Sequence, residues 1–195
     1  MTEMNGEASL FFKRFLRNPA RLGTLAPVSE RLARLAASCV SLPSDGKIVE
    51  IGAGAGRLTR AFLGAGVKPK NLKAIELDPD LCAFAKENIK SVDFIEGNAK
   101  DLATLLPKSW IGSVDIVFSS IPFMYLPREM RAEITESVFD VLKPGGDFFH
   151  LTYNYWSPLE GMGYEQRRCA TLWANFPPGF IWRYRKQMIP HLRAA

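Results

Sequence analysis

Three glycines stand at every second position in the stretch 50–56, Glu-Ile-Gly-Ala-Gly-Ala-Gly, and this stretch limits the possible folds more than any other. A short β-branched run over 48–51 precedes the glycines, and a helical pattern of apolar residues begins at Arg57. Strand, glycine loop and helix in this order open nucleotide-binding α/β domains, where a Cβ would block the turn and the approach of a ligand. A glycine-rich turn without a ligand is the alternative.

The rest of the chain continues the alternation of strands and helices. Apolar runs predict further strands over 71–76, 92–95, 114–119 and 147–153, and two β-rich pieces within 171–186, split by Pro177-Pro178-Gly179, predict an antiparallel hairpin. We therefore expect an α/β fold with a doubly wound, mostly parallel seven-stranded sheet, Rossmann-like, closed by the C-terminal hairpin. Residues 1–44 would carry two N-terminal helices, and residues 45–195 would form the main domain.

Charge narrows the classes of partner. The 195 residues carry a net charge of +5, which favours polyanionic partners, either nucleic acid or an anionic membrane surface. No stretch of 18 residues lacks a charge, so no membrane-spanning helix is expected. Charge sign alone does not choose between the two kinds of partner.

Cysteine and histidine are sparse. Cys39, Cys82 and Cys169 each lie in an apolar-periodic stretch, which predicts buried thiols in a reducing cytoplasm rather than disulfides. His150 and His191 are far apart and are not paired with cysteine. We therefore expect no metal site.

The N-terminal segment 8–18 has the pattern of an amphipathic helix. On a helix its bulky apolar residues share one arc and its cations share the opposite arc, and Pro19 ends the pattern. The apolar arc holds Phe11, Phe12, Phe15 and Leu16, and the basic arc holds Lys13, Arg14 and Arg17. This pattern is typical of an interfacial membrane helix, although a helix packed on the domain would look the same. A second amphipathic pattern over 28–40 predicts a helix that faces the core.

Glu50–Gly56 resembles motif I of the class I S-adenosylmethionine (SAM)-dependent methyltransferases. Glu76 ends the second predicted strand, where a carboxylate can accept hydrogen bonds from both hydroxyls of a ribose. Asn98, followed by Ala99, stands where class I methyltransferases often have Asp, so a contact to the adenine amino group would lose its charge. The resemblance implies SAM as the cofactor. The implied cofactor-binding residues are Glu50, Gly52, Gly54, Gly56, Glu76, Asn98, Ala99 and Ser119.

The stretch 119–123, Ser-Ser-Ile-Pro-Phe, follows the fourth predicted strand and looks like the proline motif of amine and amide N-methyltransferases. Methyl transfer to nitrogen requires a lone pair aimed at the donor. The hydroxyl of Ser120 and the carbonyl of Ile121 would hold the N–H groups, and the Phe123 ring would stabilise the growing positive charge by a cation–π interaction. A strand-to-loop turn broken by proline is the alternative.

Aromatic and basic residues cluster in the C-terminal part. Tyr153, Tyr155 and Trp156 follow the fifth predicted strand and suit a quaternary ammonium product, with Tyr153 also a candidate base. Core packing would explain aromatic residues here equally well. Arg167, Arg168 and Arg183 are candidates for a phosphate, because guanidinium forks bind phosphate well, while solvated strand faces are the alternative.

Nearly the whole chain resembles the bacterial soluble phospholipid N-methyltransferases, which methylate phosphatidylethanolamine. The matching blocks lie at 15–29, 50–59 with 76–78, 119–127, and 142–153 with 173–185. Thr24 and Val28 depart from the alanine and serine common in that family. The resemblance implies up to three methyl transfers to the ethanolamine amine, toward phosphatidylcholine. The number of transfers is left open.

The same resemblance implies where the protein works. It predicts a cytoplasmic protein that is peripheral on the inner face of the cell membrane, docked on anionic lipids and phosphatidylethanolamine through the helix over 8–18. No nucleic acid and no obligate protein partner are expected. The chain also partly resembles ribosomal RNA adenine dimethylases, so an RNA adenine N-methyltransferase is the alternative, and a SAM-binding protein without catalysis is a third hypothesis.

Overall fold

The structure, a computed structural model, describes residues 28–186. The predicted helix over 8–18, with all seven of its membrane-binding residues, lies outside the described residues. The strands are β1 Ile48–Ile51, β2 Leu72–Glu76, β3 Asp93–Glu96, β4 Val114–Ser119, β5 Leu142–Thr152, β6 Tyr164–Leu172 and β7 Gly179–Lys186. The α-helices are α1 Glu30–Ser38, α2 Arg57–Gly64, α3 Pro79–Asn88, α4 Leu102–Leu105 and α5 Arg128–Val141.

The strands form one seven-stranded sheet in the order β3-β2-β1-β4-β5-β7-β6. Strands β1 to β5 pair in parallel, and β7 pairs antiparallel with β5 and β6. The chain proceeds outward from β1 toward β3 and then returns to β4 on the other side. Ligands bind at such a switch point, in the crevice beyond the carboxyl ends of the strands. The predicted doubly wound sheet with a C-terminal hairpin is confirmed.

Two buried apolar clusters cover the two faces of the sheet. Val49, Val117 and Phe148 belong to one cluster, and their sequence neighbours Phe118 and Phe149 belong to the other. Adjacent strand residues point to opposite faces, so strands buried on both faces must be apolar throughout. Helix α1 buries Leu32, Ala33 and Ala36 in the second cluster. No helix within residues 28–186 has the length and apolarity needed to cross a bilayer.

The hairpin is longer than its sequence pattern indicates. Strand β6 begins at Tyr164, seven positions before the predicted start at residue 171, and pairs with β7 along its length. The prediction failed because β6 is an edge strand whose first half, Glu-Gln-Arg-Arg, is polar. Strand β5 also begins earlier than predicted, at Leu142. The Pro-Gly-Gly stretch at 144–146 lies within this strand, beside an irregularity in the β4–β5 register.

Candidate functional site

Two cavities open at the carboxyl edge of the sheet. The smaller has a volume of about 130 Å³ and lies against the glycine loop, the end of β2 and the turn after β3. The larger has a volume of about 320 Å³ and lies against the loops that follow β4 and β5. Ser120 and Pro122 line both cavities. A molecule in one cavity would therefore meet a molecule in the other at the proline motif.

The first two glycines of the loop have different tasks. A Cβ on Gly52 would lie 2.9 Å from Cγ1 of Ile121, so this glycine lets the proline motif pack directly on the loop. Gly54 has a φ of +54°, and a Cβ there would meet no atom within 4 Å. Both line the smaller cavity. The backbone at Gly54 thus borders open space, as close approach of a ligand requires.

Glu76 connects the end of β2 to this loop. Its Oε2 accepts a hydrogen bond of 2.7 Å from the Gly54 N–H, and its Oε1 accepts one of 2.9 Å from the Asp78 N–H. The side chain is 3 % exposed and lines the smaller cavity. Burial raises the pKa of this carboxyl above its usual value. A carboxylate offers about four lone-pair sites, so acceptor capacity remains for hydroxyl groups of a ligand.

Asn98 and Ala99 line the opposite wall of the smaller cavity. The Asn98 Oδ1 accepts a 3.2 Å hydrogen bond from the Lys100 N–H and caps the short turn Ala99–Asp101. The Asn98 Oδ1, which is predicted to accept a hydrogen bond from the adenine amino group, therefore already accepts one from the backbone. Its second lone pair and the side-chain NH₂ group are the groups that this residue brings to a ligand.

Glu50, predicted to bind the cofactor, lies beneath the glycine loop and is not part of either cavity wall. It is fully buried, and its Oε2 accepts a 2.6 Å hydrogen bond from the Thr59 hydroxyl. Its Oε1 has no hydrogen-bond partner among the described residues. Burial raises the pKa of this carboxyl from 4.5 to about 8, which favours the protonated form at neutral pH.

The buried Glu50 predicts a pH-dependent stability. Between pH 4.5 and about 8 the folded protein binds a proton that the unfolded chain releases, so the free energy of unfolding falls as pH rises. The slope is at most about 1.4 kcal/mol per pH unit. Burial lowers the pKa of His150 from 6.5 to about 3, an opposite effect confined to pH below 6.5. Between pH 6.5 and 8 the Glu50 effect is therefore separated from that of His150.

We expect Glu50→Gln to flatten the loss of stability between pH 6.5 and 8, as measured by urea unfolding without cofactor. Glu96→Gln, at an exposed position at the end of β3, should keep the full slope. An unchanged slope in Glu50→Gln would show that this carboxyl does not bind the proton.

The proline motif is held by local hydrogen bonds. The Ser119 hydroxyl is buried and accepts a 3.2 Å hydrogen bond from the Ile121 N–H, so this predicted cofactor contact faces the turn. The Ser120 hydroxyl donates a 2.7 Å hydrogen bond to the Gly52 carbonyl. The Ile121 carbonyl accepts a 2.8 Å bond from the Phe123 N–H and retains one lone pair.

Phe123 departs from its predicted place at the reacting amine. Its ring is fully buried and stacks on the His150 ring with 4.6 Å between centroids. The short helical turn Phe123–Tyr125 directs this ring into the core, and it lines neither cavity. Met124 and Tyr125, which the motif did not single out, line the larger cavity instead.

Tyr153 and Tyr155 line the larger cavity, as their position after β5 indicates. Burial raises the pKa of the Tyr153 phenol above its usual value, with Arg57 opposing the shift. The phenol therefore stays protonated at neutral pH, which weakens its candidacy as a base. Trp156 lies outside the cavity wall, and its ring meets that of Tyr155 edge-on at 5.2 Å.

The three candidate arginines have separate surroundings. The Arg168 guanidinium lies 4.3 Å over the ring of Tyr155, a residue that lines the larger cavity, and donates a 3.2 Å hydrogen bond to the Tyr155 hydroxyl. Arg183 lies 3.8 Å from Asp147, which also holds Arg185. Arg167 is exposed and faces Arg183 across the β6–β7 ladder. None of the three arginines lines either of the two cavities.

The smaller cavity fits the adenosine part of a nucleoside cofactor. A buried carboxylate and an asparagine line it, the Gly54 backbone borders open space, and the apolar side chains of Leu77 and Leu81 complete the wall. By itself this volume is smaller than that of a usual ligand pocket, which is about 300 to 1,000 Å³. The smaller cavity shares two lining residues, Ser120 and Pro122, with the larger one.

Comparison with known proteins supports this interpretation of the crevice. The family model described as "Methyltransferase domain" matches residues 48–146, from β1 into β5. An ornithine lipid N-methyltransferase from Singulisphaera acidiphila is 29% identical over 150 residues, which are 75% of this chain and 78% of that protein. Ribosomal RNA small subunit methyltransferase A from Myxococcus xanthus is 29% identical over 161 residues. This alignment covers 73% of this chain but only 53% of the Myxococcus protein.

Solved structures with similar folds are more distant in sequence. A precorrin-6y C5,15-methyltransferase from Geobacter metallireducens matches with a TM-score of 0.62 at 20% identity, covering 84% of this chain and 92% of that one. The glycopeptide N-methyltransferase MtfA, solved with S-adenosyl-L-methionine, matches with a TM-score of 0.53 at 20% identity, covering 84% and 68%. These similarities establish the shared fold.

Proposed function

Because the chain belongs to the methyltransferase domain family, we propose that it methylates the headgroup amine of a membrane phospholipid, with phosphatidylethanolamine as the acceptor. S-adenosyl-L-methionine is the cofactor, and when bound it supplies an electrophilic methyl group on a sulfonium. The single observation that carries the proposal is the pair of cavities that meet at Ser120 and Pro122. One cavity suits the donor and the other is left for the acceptor.

The walls of the larger cavity suit a primary amine. No Asp, Glu, Lys or Arg is among its described lining residues. Apolar and aromatic walls remove water from an amine, which lowers its pKa and frees the lone pair for attack. In the proposal the Ser120 hydroxyl and the Ile121 carbonyl orient the N–H groups; Ser120 lines both cavities, and Ile121 lines the smaller one. Holding two reactants in line is a large part of such a rate enhancement.

The aromatic lining also suits the product. Each methyl transfer makes the nitrogen larger and, after the third, permanently cationic. Tyr125, Tyr153 and Tyr155 lie on the wall of this cavity, and cation–π attraction to such rings is worth on the order of 1 kcal/mol each. In this arrangement the tyrosines take the part that the motif predicts for Phe123.

An anionic group next to the amine would meet Arg168. Its guanidinium uses one N–H on the Tyr155 hydroxyl, and a guanidinium has about five donors, so several are left for a phosphate. A carboxylate would satisfy the same donors. The similarity to an ornithine lipid N-methyltransferase therefore makes the amine of ornithine lipid a second candidate acceptor.

The acceptor substrate in the proposal lies in a bilayer, so the protein must work at its surface. We assign the docking to the segment over 8–18, with its phenylalanine and leucine side chains at the acyl boundary and its cations near anionic lipid phosphates, each worth about 1 kcal/mol. The proposed location is the inner face of the cell membrane. The net charge of +5 supports attraction to that surface.

Transfer of labelled methyl groups tests the proposal. Vesicles of phosphatidylethanolamine, vesicles of ornithine lipid and a ribosomal RNA transcript are each incubated with labelled SAM, and the products are separated by thin-layer chromatography or gel. We expect labelled mono-, di- or trimethylated phosphatidylethanolamine. Label found only in ornithine lipid would show that ornithine lipid, and not phosphatidylethanolamine, is the acceptor. Label found only in RNA would reject the lipid methyltransferase and favour the RNA methyltransferase.

The variant Tyr153→Phe tests whether Tyr153 acts as a general base or only forms part of the cavity wall. Because the phenol stays protonated at neutral pH, we expect a loss of at most about tenfold in kcat and no shift of the pH–rate profile. Tyr155→Phe, on the same wall, serves as the matched variant. A loss of at least about 100-fold together with removal of one limb of the pH profile would instead assign Tyr153 as the general base.

A further inference from the structure

Several large apolar side chains of the described residues are exposed in three loops. Trp156 is 65% exposed, Trp173 is 66% exposed and Phe176 is 97% exposed. Most exposed hydrophobic side chains on a soluble surface are scattered singly, whereas a continuous patch marks an interaction site. We call this patch the aromatic rim. It consists of Met124, Tyr125, Tyr155, Trp156, Trp173 and Phe176.

The rim is continuous and lies on one edge of the fold. Its loops follow the carboxyl ends of β4 and β5, and the β6–β7 loop lies beside them because Phe180 pairs with Thr152. Phe180 connects the loops, with its ring 5.6 Å from Tyr155 and 5.5 Å from Trp173. The Trp156 ring continues the contact from Tyr155.

The rim surrounds the mouth of the larger cavity. Met124, Tyr125 and Tyr155 belong both to the rim and to the cavity lining, and Pro177, which follows Phe176, is also a lining residue. A molecule that covers the rim therefore covers the entrance that the acceptor must use. This places the rim in contact with whatever phase delivers the acceptor.

The rim loops contain no charged residue. Residues 120–127, 151–159 and 169–182 have no Asp, Glu, Lys or Arg. Tryptophan and tyrosine without charges are typical of side chains that lie at the level of lipid headgroups, where an apolar ring and a polar edge are both accommodated. Arg168 adjoins these loops through its contact with Tyr155, and a cation beside uncharged aromatic loops suits an anionic lipid phosphate.

The chain also joins the rim to the segment that precedes the described residues. Val28 lines the larger cavity, and the Ser29 hydroxyl donates a 2.6 Å hydrogen bond to Oδ1 of Asn175 in the β6–β7 loop. The first two described residues, Val28 and Ser29, therefore lie at the larger cavity and at the β6–β7 loop of the rim. Nine residues lie between position 18, where the amphipathic pattern ends, and Val28.

We propose that the aromatic rim is a second membrane-docking surface, which enters the headgroup layer of a bilayer containing anionic phospholipid and places the mouth of the larger cavity at that level. The proposal rests on the proposed function for the nature of the acceptor. It is independent of whether the amine belongs to phosphatidylethanolamine or to ornithine lipid.

Flotation with vesicles tests the rim. The full chain is mixed with vesicles of phosphatidylethanolamine and phosphatidylglycerol, and the bound fraction of Trp173→Ser/Phe176→Ser is compared with wild type. We expect the partition coefficient to fall about tenfold or more. Phe84→Ser, at an exposed phenylalanine on α3 away from the rim, should stay within about twofold of wild type. Equal flotation of the rim variant and wild type, with thermal unfolding showing both folded, would overturn the proposal.

Tryptophan fluorescence gives a second readout. Trp156 and Trp173 are exposed, whereas Trp110 is buried, so vesicle binding should shift emission to shorter wavelength in wild type. Trp156→Phe/Trp173→Phe should lose most of that shift. A wild-type shift that persists in this variant would overturn the proposal.

Other outcomes separate the rim from the proposed function. Protein that floats through its rim but methylates neither lipid supports the rim and rejects the proposed function. Protein that methylates lipid in detergent micelles, with flotation unaffected by the rim substitutions, rejects only the rim. A dimer in sedimentation that Trp173→Ser/Phe176→Ser converts to monomers, with flotation unchanged, would assign the rim to a second copy of this chain and overturn the proposal.

Discussion

Glu76→Ala is expected to lower the affinity for S-adenosyl-L-methionine by about 100-fold or more. Hydrogen bonds to a charged group contribute about 1.5 to 3 kcal/mol each, and the predicted ribose contact would use two. The same carboxylate accepts the Gly54 and Asp78 N–H groups, so its removal also frees the glycine loop. Isothermal titration calorimetry with SAM measures the change directly.

Glu96→Ala provides the matched control for this variant. Glu96 ends β3 as Glu76 ends β2, and the two residues are partners in the β2–β3 register. Its side chain is exposed and does not line the cavity. Equal affinities of the two variants would show that the effect is general to the strand ends, and the ribose role of Glu76 would then be rejected.

Gly54→Asp is expected to abolish detectable binding of S-adenosyl-L-methionine and therefore methyl transfer. The φ of +54° is unfavourable for a side chain, and the new Cβ would enter the space beside the smaller cavity. The added carboxylate would also lie close to Glu76, whose Oε2 is 2.7 Å from the Gly54 nitrogen. Two adjacent buried carboxylates repel each other, so either the loop would move or one of the two carboxylates would take up a proton.

Gly112→Asp makes the same substitution outside the site. Gly112 has a φ of +66°, and a Cβ there would also meet nothing within 4 Å. We expect this variant to bind SAM as wild type does and to lose at most about 1 to 2 kcal/mol of stability. Calorimetry for binding and urea unfolding for stability distinguish the two variants. Normal SAM binding by Gly54→Asp would remove the glycine loop from the donor site.

Sequence patterns predicted most of the sheet. The glycine loop and the runs before Glu76 and Ser119 mark strands that are buried on both faces, and such strands are apolar throughout. The first half of β6 could not be recognised in this way. Strand β6 is an edge strand, and the residues of its first half are largely exposed. A polar run such as Glu165–Arg168 can therefore form it without an apolar pattern.

The candidate site was predicted in part. Glu76, Asn98 and Ser120 line the smaller cavity because each follows the end of a parallel strand, and these ends share one edge. Phe123 was misplaced because a sequence motif does not tell which way a ring turns after a proline. Arg183 was assigned to a headgroup, whereas it lies beside Asp147, a partner far away in the sequence.

The sequence by itself determined the order of the elements and the edge of the sheet at which a ligand would lie, because glycine spacing and apolar runs act through local backbone geometry. The tertiary structure decided which side chains reach that edge. Ser120 and Pro122 join two cavities, Phe123 turns into the core and the aromatic rim forms from three separate loops. These features depend on contacts between residues that are distant along the chain, and no local pattern encodes them.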